Sequence, residues 1–136
     1  MSQENVELVR AGYEAWNAGD MDAVFAQFHS ELVYHPRADE PDPSPHVGRG
    51  AYERLVRGFV DSFSEVTFEV LELIDAGDHV IASTVLHVVL RGQESAIGAG
   101  VTDTYVFLYE LRYGVVVEGW EYKTKQEALD AVALRQ

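Results

Sequence analysis

His35 stands directly before Pro36 and beside Arg37, at the end of the short run Leu32-Val-Tyr-His35. Its imidazole titrates near neutral pH, so it can take a proton from a carbon acid or a water and return it. The alternative is a structural histidine bonded to backbone. Asp103 lies in Val101-Thr-Asp-Thr-Tyr105, inside an otherwise apolar stretch. A period of two puts Val101, Asp103, Tyr105, Phe107 and Tyr109 on one face. Against an aromatic pocket the Asp103 carboxylate would have a raised pKa and serve as acid or base. On a solvent or subunit-contact face it is merely solvated. Tyr13 offers a phenol that can donate to a developing oxyanion, although such a tyrosine is most often core. Arg37 can bind a carboxylate or a phosphate-bearing ligand, or be solvated as loop arginines usually are.

Three further groupings carry less. His79, Ser83 and His87 share a strand face with Arg91, which suits an outer surface at a dimer contact. No Gly-x-Ser-x-Gly elbow supports a Ser-His pair. His35, His46, Asp39 and Asp42 could gather around a metal, but no His-x-His or His-x-x-x-His spacing exists, and no metal is expected. Gly48-Arg-Gly50 is a fragment of a dinucleotide motif with no preceding parallel strand, and marks a helix entry instead.

The elements that must position these residues follow from periodicity. Val6, Val9, Tyr13 and Trp16 fall on one face of a helix running from about Glu4 to Ala18. Gly19 suits its end, and Asp20 suits the cap of a second helix from about Met21 to Phe28. Leu32 to His35 is a short strand. Pro36 to His46 holds all four prolines of the chain and forms a loop over a rim. Tyr52, Leu55, Val56, Phe59, Val60 and Phe63 then form the best helical pattern in the sequence. From Val66 the period shortens. Strands are expected over Thr67 to Asp75, His79 to Arg91, Ser95 to Leu111 and Val115 to Lys123. Ala76-Gly-Asp78 and Arg112-Tyr-Gly114 form the turns, and Gly98 and Gly100 are bend or bulge points. Thr124-Lys-Gln-Glu127 is a capping box for a terminal helix. Helices followed by an antiparallel meander make an α+β chain, with N-terminal helices packed on a strongly curved sheet.

Composition narrows the partners. The chain has 136 residues, 47% of them hydrophobic, which suits one domain (1–136) with a full core. A net charge of −13 argues against phosphate-backbone binding and against an anionic membrane surface. There is no cysteine, so disulfides, thiolate metal sites and a thiol nucleophile are excluded. No run of apolar residues is long enough to span a membrane, and Met1-Ser-Gln-Glu-Asn5 lacks the basic-then-apolar layout of a secretory signal. The default compartment is the cytoplasm. Neither nucleic acid nor membrane is expected as a partner.

Five stretches together carry a resemblance: Asn17-Ala-Gly-Asp-Met-Asp22, Tyr34-His-Pro36, Gly48-Arg-Gly50, Gly77-Asp78 and Gly114-Val-Val-Val-Glu-Gly-Trp-Glu-Tyr122. The chain resembles the SnoaL-like polyketide-cyclase group of the nuclear transport factor 2-like superfamily, to which ketosteroid isomerase also belongs. The resemblance covers nearly the whole chain. It implies a cone-shaped α+β barrel with a hydrophobic pocket. It leaves the activity open, since the superfamily includes isomerases, aldol cyclases, dehydratases, epoxide hydrolases and non-catalytic binding or dimerisation modules. The isomerases place an aspartate base where this chain has His35, a tyrosine donor near Tyr13, and a protonated acid near Val106 or Phe107. Their full set is therefore not reproduced. The aldol cyclases use an acidic residue facing the cavity, a part that Asp103 could serve, and the Asp-Arg-Asp group of the hydrolases is not evident.

Two functional readings follow. The first is a cofactor-free acid–base enzyme of isomerase, cyclase, dehydratase or hydrolase type, acting on a small hydrophobic ligand in the cone. His35, Asp103 and Tyr13 would be catalytic, with Trp16, Arg37, Phe59, Phe63, Tyr105, Phe107, Trp120 and Tyr122 around the ligand. The second is a non-catalytic small-ligand-binding or homodimerisation module. The wide apolar strand faces suit a homodimer in either case.

Overall fold

A computed structural model describes residues 2–92 and 100–135. Helix α1 (Ser2–Asn17) buries Val6, Val9 and Tyr13 on one face, with Trp16 half-buried a turn further on. It stops at Gly19, whose φ of +78° is a left-handed conformation that favours glycine. Asp20 caps α2 (Met21–Phe25), its carboxylate accepting from the Ala23 N–H at 3.2 Å. The second helix is shorter than expected. Phe28 already belongs to β1 (Phe28–His35), which starts there rather than at Leu32 and pairs with Val116 at that point.

The proline segment ends in β2 (His46–Val47), a two-residue strand against Tyr34 and Val33 that the loop composition conceals. Helix α3 (Arg49–Asp61) buries Tyr52 and Val56. Its apolar spacing runs on to Phe63, yet the helix ends at Asp61. Phe63 instead opens β3 (Phe63–Ala76) opposite Leu90, while its ring meets Phe59 edge-on at 5.1 Å. A residue can keep a helix's apolar spacing after the backbone has changed, which is why the pattern overruns. Gly77 turns the chain into β4 (His79–Leu90).

β5 (Gly100–Arg112) and β6 (Val115–Tyr122) form a hairpin through Tyr113 and Gly114, both with positive φ, as a two-residue primed turn requires. The expected start at Ser95 and the glycine Gly98 lie outside the described residues. Gly100 forms no bulge, since it pairs with Val89 in the same register as the rest of β4 and β5. The register breaks fall elsewhere, at Phe28/Val33, Phe63/Glu65, Val70/Glu72 and Glu110/Leu111. Thr124 and Glu127 close a capping box on α4 (Lys125–Ala133).

The six strands form one open, curved sheet in the order β2-β1-β6-β5-β4-β3, antiparallel except between β1 and β6. Helices α1 to α3 pack on its inner face over Leu32, Tyr34, Val80 and Tyr109. Helix α4 covers part of the outer face over Ile81, Val106, Leu108 and Trp120. This is the cone-shaped α+β arrangement, with an open sheet rather than a closed barrel. The end of α1 is tied to the edge strand: the Asn17 amide donates to the Phe68 carbonyl at 2.7 Å and its oxygen accepts from the Phe68 N–H at 2.9 Å. One side chain thereby occupies the backbone groups that an edge strand leaves free. Among the described residues, no helix is long and apolar enough to cross a membrane.

Two measurements test this account of the packing. Leu108 has no exposed surface in the outer core. Leu108→Ala should cost about 2–5 kcal/mol in denaturant unfolding, and a loss below about 1 kcal/mol would contradict the burial. His79 is buried against Trp120, and its Nε2 has no hydrogen-bond partner among the described residues. Burial lowers its pKa, so the unfolded chain binds a proton more readily than the folded one. Its share of the stability is therefore present above about pH 6.5 and is lost as pH falls through the folded pKa. Melting temperatures measured against pH should decline less on acidification for His79→Leu than for the natural chain, and equal slopes would refute the assignment.

Candidate active site in the cone

Between the helices and the inner face of the sheet lies a cavity of about 270 Å³. That is near the lower end of the range of small-molecule sites, about 300–1,000 Å³. An apolar cavity of about 150 Å³ already holds benzene, so this one has room for a molecule of one or two rings. Three elements supply most of the wall. Helix α1 contributes Val9, Tyr13 and Trp16, α3 contributes Tyr52, Val56 and Phe59, and β5 contributes Tyr105, Phe107 and Tyr109. The three β5 rings are consecutive inward positions and stack at 5.9 Å between neighbouring centroids, with interplanar angles of 16° and 6°. Phe68 meets Tyr13, Trp16 and Phe107 edge-on.

The chemistry in this wall centres on Glu121 of β6, which lines the cavity. The Tyr34 hydroxyl donates to its Oε2, and the Arg37 backbone N–H donates to its Oε1 at 3.3 Å. Burial pushes the Glu121 carboxyl above the usual carboxylate range, and nearby Glu40 pushes the same way. The two donors and the Arg37 charge pull in the other direction without overturning it. Tyr13 and Tyr109 share a hydrogen bond of 2.8 Å between their hydroxyls. The Tyr52 hydroxyl bonds to no other described residue, although the side chain is 94% buried by its 6% exposure. Burial raises the pKa of Tyr13, Tyr34, Tyr52 and Tyr109 well above 10, so all four remain neutral phenols able to donate. Glycine at position 119 leaves room for Tyr34: a Cβ there would meet its ring at 3.1 Å and push it aside. The mouth is formed by the proline loop, with Pro36, Glu40, Asp42 and His46 along it.

The residues singled out from sequence divide between this cavity and elsewhere. Tyr13, Trp16, Phe59, Tyr105 and Phe107 line it. His35 does not: it follows the inward Tyr34 on β1 and so lies on the outer face. There its ring stacks on Trp120 at 5.3 Å and its Nε2 meets Glu118 at 2.7 Å. Trp120 and Tyr122 belong to the outer core beside α4, and the Arg135 guanidinium covers Trp120 at 4.2 Å. Phe63 packs behind Phe59 and is not part of the wall. Asp103 stands at the rim with its side chain half exposed, where it holds Arg37 Nη1 at 3.3 Å. Arg37 is committed to the protein itself. It donates to Asp39 at 3.0 and 3.2 Å and to the Thr104 carbonyl at 3.1 Å, and it lies over the Tyr105 ring at 4.3 Å. Among the described residues no three His, Asp or Glu side chains are placed to hold a metal ion. Glu121 and Tyr34 were not foreseen. The signal was available for Glu121: once Trp120 and Tyr122 share one strand face, the residue between them takes the other.

The SnoaL-like domain family matches residues 9–119 of the chain. No curated protein matches it significantly. Among solved structures, Bal32a from a soil-derived mobile gene cassette is 23% identical, with 96% of each chain covered and a TM-score of 0.77. A candidate polyketide cyclase from Xanthomonas campestris pv. campestris is 23% identical over 96% of this chain and 98% of its own, with a TM-score of 0.69. An NTF2-like protein from Burkholderia pseudomallei is 18% identical over 93% of this chain and 95% of its own, with a TM-score of 0.73. At these identities the structures establish a shared fold. The family match spans most of the length, and the chain belongs to the SnoaL-like domain family.

Proposed function

We propose that the chain is a cofactor-free acid–base enzyme that binds a small, ring-bearing molecule in the cone and moves a proton on it through Glu121. The observation that carries this reading is a carboxyl group set in the wall of an aromatic cavity and held by two donors from the protein. Burial raises its pKa, which brings it closer to the working pH, where a general base is most effective. As a carboxylate it would take a proton from a carbon next to a carbonyl. The electron pair left on that carbon moves into the carbonyl oxygen. The free Tyr52 hydroxyl supplies a donor for that oxygen, and the Tyr13–Tyr109 pair supplies a second within the same wall. The protonated Glu121 then returns the proton to a different carbon, giving isomerisation, or to oxygen. Isomerases and cyclases share this first half-reaction. The candidate polyketide cyclase among the structural neighbours agrees with a substrate of this kind.

The test uses 2-tetralone, a two-ring ketone with acidic α-protons, as a probe. Its α-protons should exchange with D2O in the presence of the protein, followed by NMR. Glu121→Gln keeps the shape of the side chain and should slow the exchange by about 10²–10⁴-fold while the ketone still binds. Tyr52→Phe should slow it by up to about 10²–10³-fold. The rate should rise with pH through a midpoint above about 4.3, the ordinary glutamate value. Exchange at the natural rate in Glu121→Gln would remove Glu121 from the mechanism. Binding with no exchange at any pH would leave a ligand-binding module instead. Gly119→Ala, which crowds Tyr34, should lower the exchange rate without unfolding the chain.

A further inference from the structure

The charge around this cavity is one-sided. Glu40, Asp42 and Glu121 line it, and no lysine or arginine does; among the described lining residues His46 is the sole basic group. Two cations of the surrounding loop and strand are already paired. Arg37 is held by Asp39 and Asp103, and Lys123 meets Asp39 at 3.4 Å. Among the described residues, no lysine or arginine forms an ion pair with Glu40, Asp42 or Glu121. Glu40 receives the Tyr105 hydroxyl at 3.4 Å. The electron-rich rings of Trp16 and Phe68 lie in the same wall, and such rings attract cations, whereas Tyr105 is already covered by Arg37. The net charge of −13 adds a field of the same sign, and a cleft with low-dielectric walls concentrates it. A second, independent feature points to a ligand in this space: Tyr52 is 6% exposed, lines the cavity, and has a hydroxyl with no partner among the described residues.

We propose that the cavity selects ring-bearing molecules that carry a positive charge, a protonated or quaternary amine, and rejects those that carry a carboxylate. The apolar part of the ligand fills the aromatic cone, and its cationic group sits toward Glu40 and Asp42. The Tyr52 hydroxyl is left to meet an oxygen of the ligand. This names the substrate class of the site described above and rests on that site binding small molecules.

Three probes of one shape and different charge decide it: phenyltrimethylammonium, tert-butylbenzene and benzoate, each titrated into the full chain and followed by NMR shifts. The cation should bind on the order of tenfold more tightly than the neutral isostere, and benzoate should not bind measurably. The advantage should shrink with added salt and in Glu40→Gln/Asp42→Asn. Equal or tighter binding of tert-butylbenzene overturns the proposal, and so does binding of benzoate comparable to that of the cation. If cyclic ketones bind while the cation has no advantage, the charge preference alone is wrong. If neither the probes nor the ketones bind, the small-molecule reading of the cone fails with it.

Discussion

The central strands are covered on both faces, and this decides which side chains reach the cavity. A sheet with one wet face sorts its residues into apolar and polar; one covered on both sides sorts them by neighbour and shape alone. Along β5, Tyr105, Phe107, Tyr109 and Leu111 turn inward, while Val106 and Leu108 turn toward α4. On β4, Val80 and Ala82 face the inner core, and Ile81 faces the outer one. On β1 the inward residue is Tyr34 and the outward one His35; on β6 they are Glu121 and Trp120. A slip of one residue would exchange the two sets completely. It would put an imidazole and an indole in the cone, and leave the carboxyl under a helix.

Within that frame the carboxyl of Glu121 is the costly element. An ionised carboxylate loses hydration on burial, and the fold offsets this with donors rather than with a paired cation. Tyr34 and the Arg37 N–H give it two hydrogen bonds, yet burial still dominates and the proton is held more tightly than in water. Both donors depend on local geometry. Tyr34 can approach because position 119 has no Cβ, and its ring is packed by Tyr52 at 4.6 Å. The Arg37 N–H is aimed by the same side-chain network that pins the proline loop. Rigid support of this kind keeps a reacting group in place without further ordering at the moment of reaction.

How far the sequence could be read follows from the same two-sidedness. The helical face of Val6, Val9, Tyr13 and Trp16 and the period-two face of β5 were legible because each has a long, uninterrupted pattern. So were the capping box at Thr124 and the turns at Gly77 and Gly114, where backbone conformation restricts the residue type. The outward placement of His35 and Trp120 was not: β1 carries the neighbouring rings of Tyr34 and His35 on opposite faces, and both faces of β6 are covered, so hydrophobicity does not tell inside from outside. β6 adds a difficulty. Its register against β5 breaks between Glu110 and Leu111, so Val116 and Glu121 both line the cavity despite opposite parity. Phe63 kept the apolar spacing of α3 after the helix had ended. Glu40, Asp42 and His46 reach the mouth only because the proline loop folds back, which no local period records.

The fate of Arg37 shows how the same residue type can serve opposite ends. In sequence, an arginine beside the rim is a natural anchor for an anionic ligand. In the fold its planar fork meets Asp39 with two nitrogens, and its remaining nitrogen meets Asp103 and a carbonyl. Arginine suits such a clamp because its donors are fixed in one plane and its charge does not titrate. Its side chain is 10% exposed, while Asp39 and Asp103 are 42% and 52% exposed, so the acids and not the cation face the solvent at the rim. The clamp thus ties the loop to β5 and at the same time withdraws the positive charge from the opening. What remains along the mouth is the side chains of Glu40 and Asp42 with the His46 imidazole, so fastening the loop leaves two acids and no lysine or arginine there.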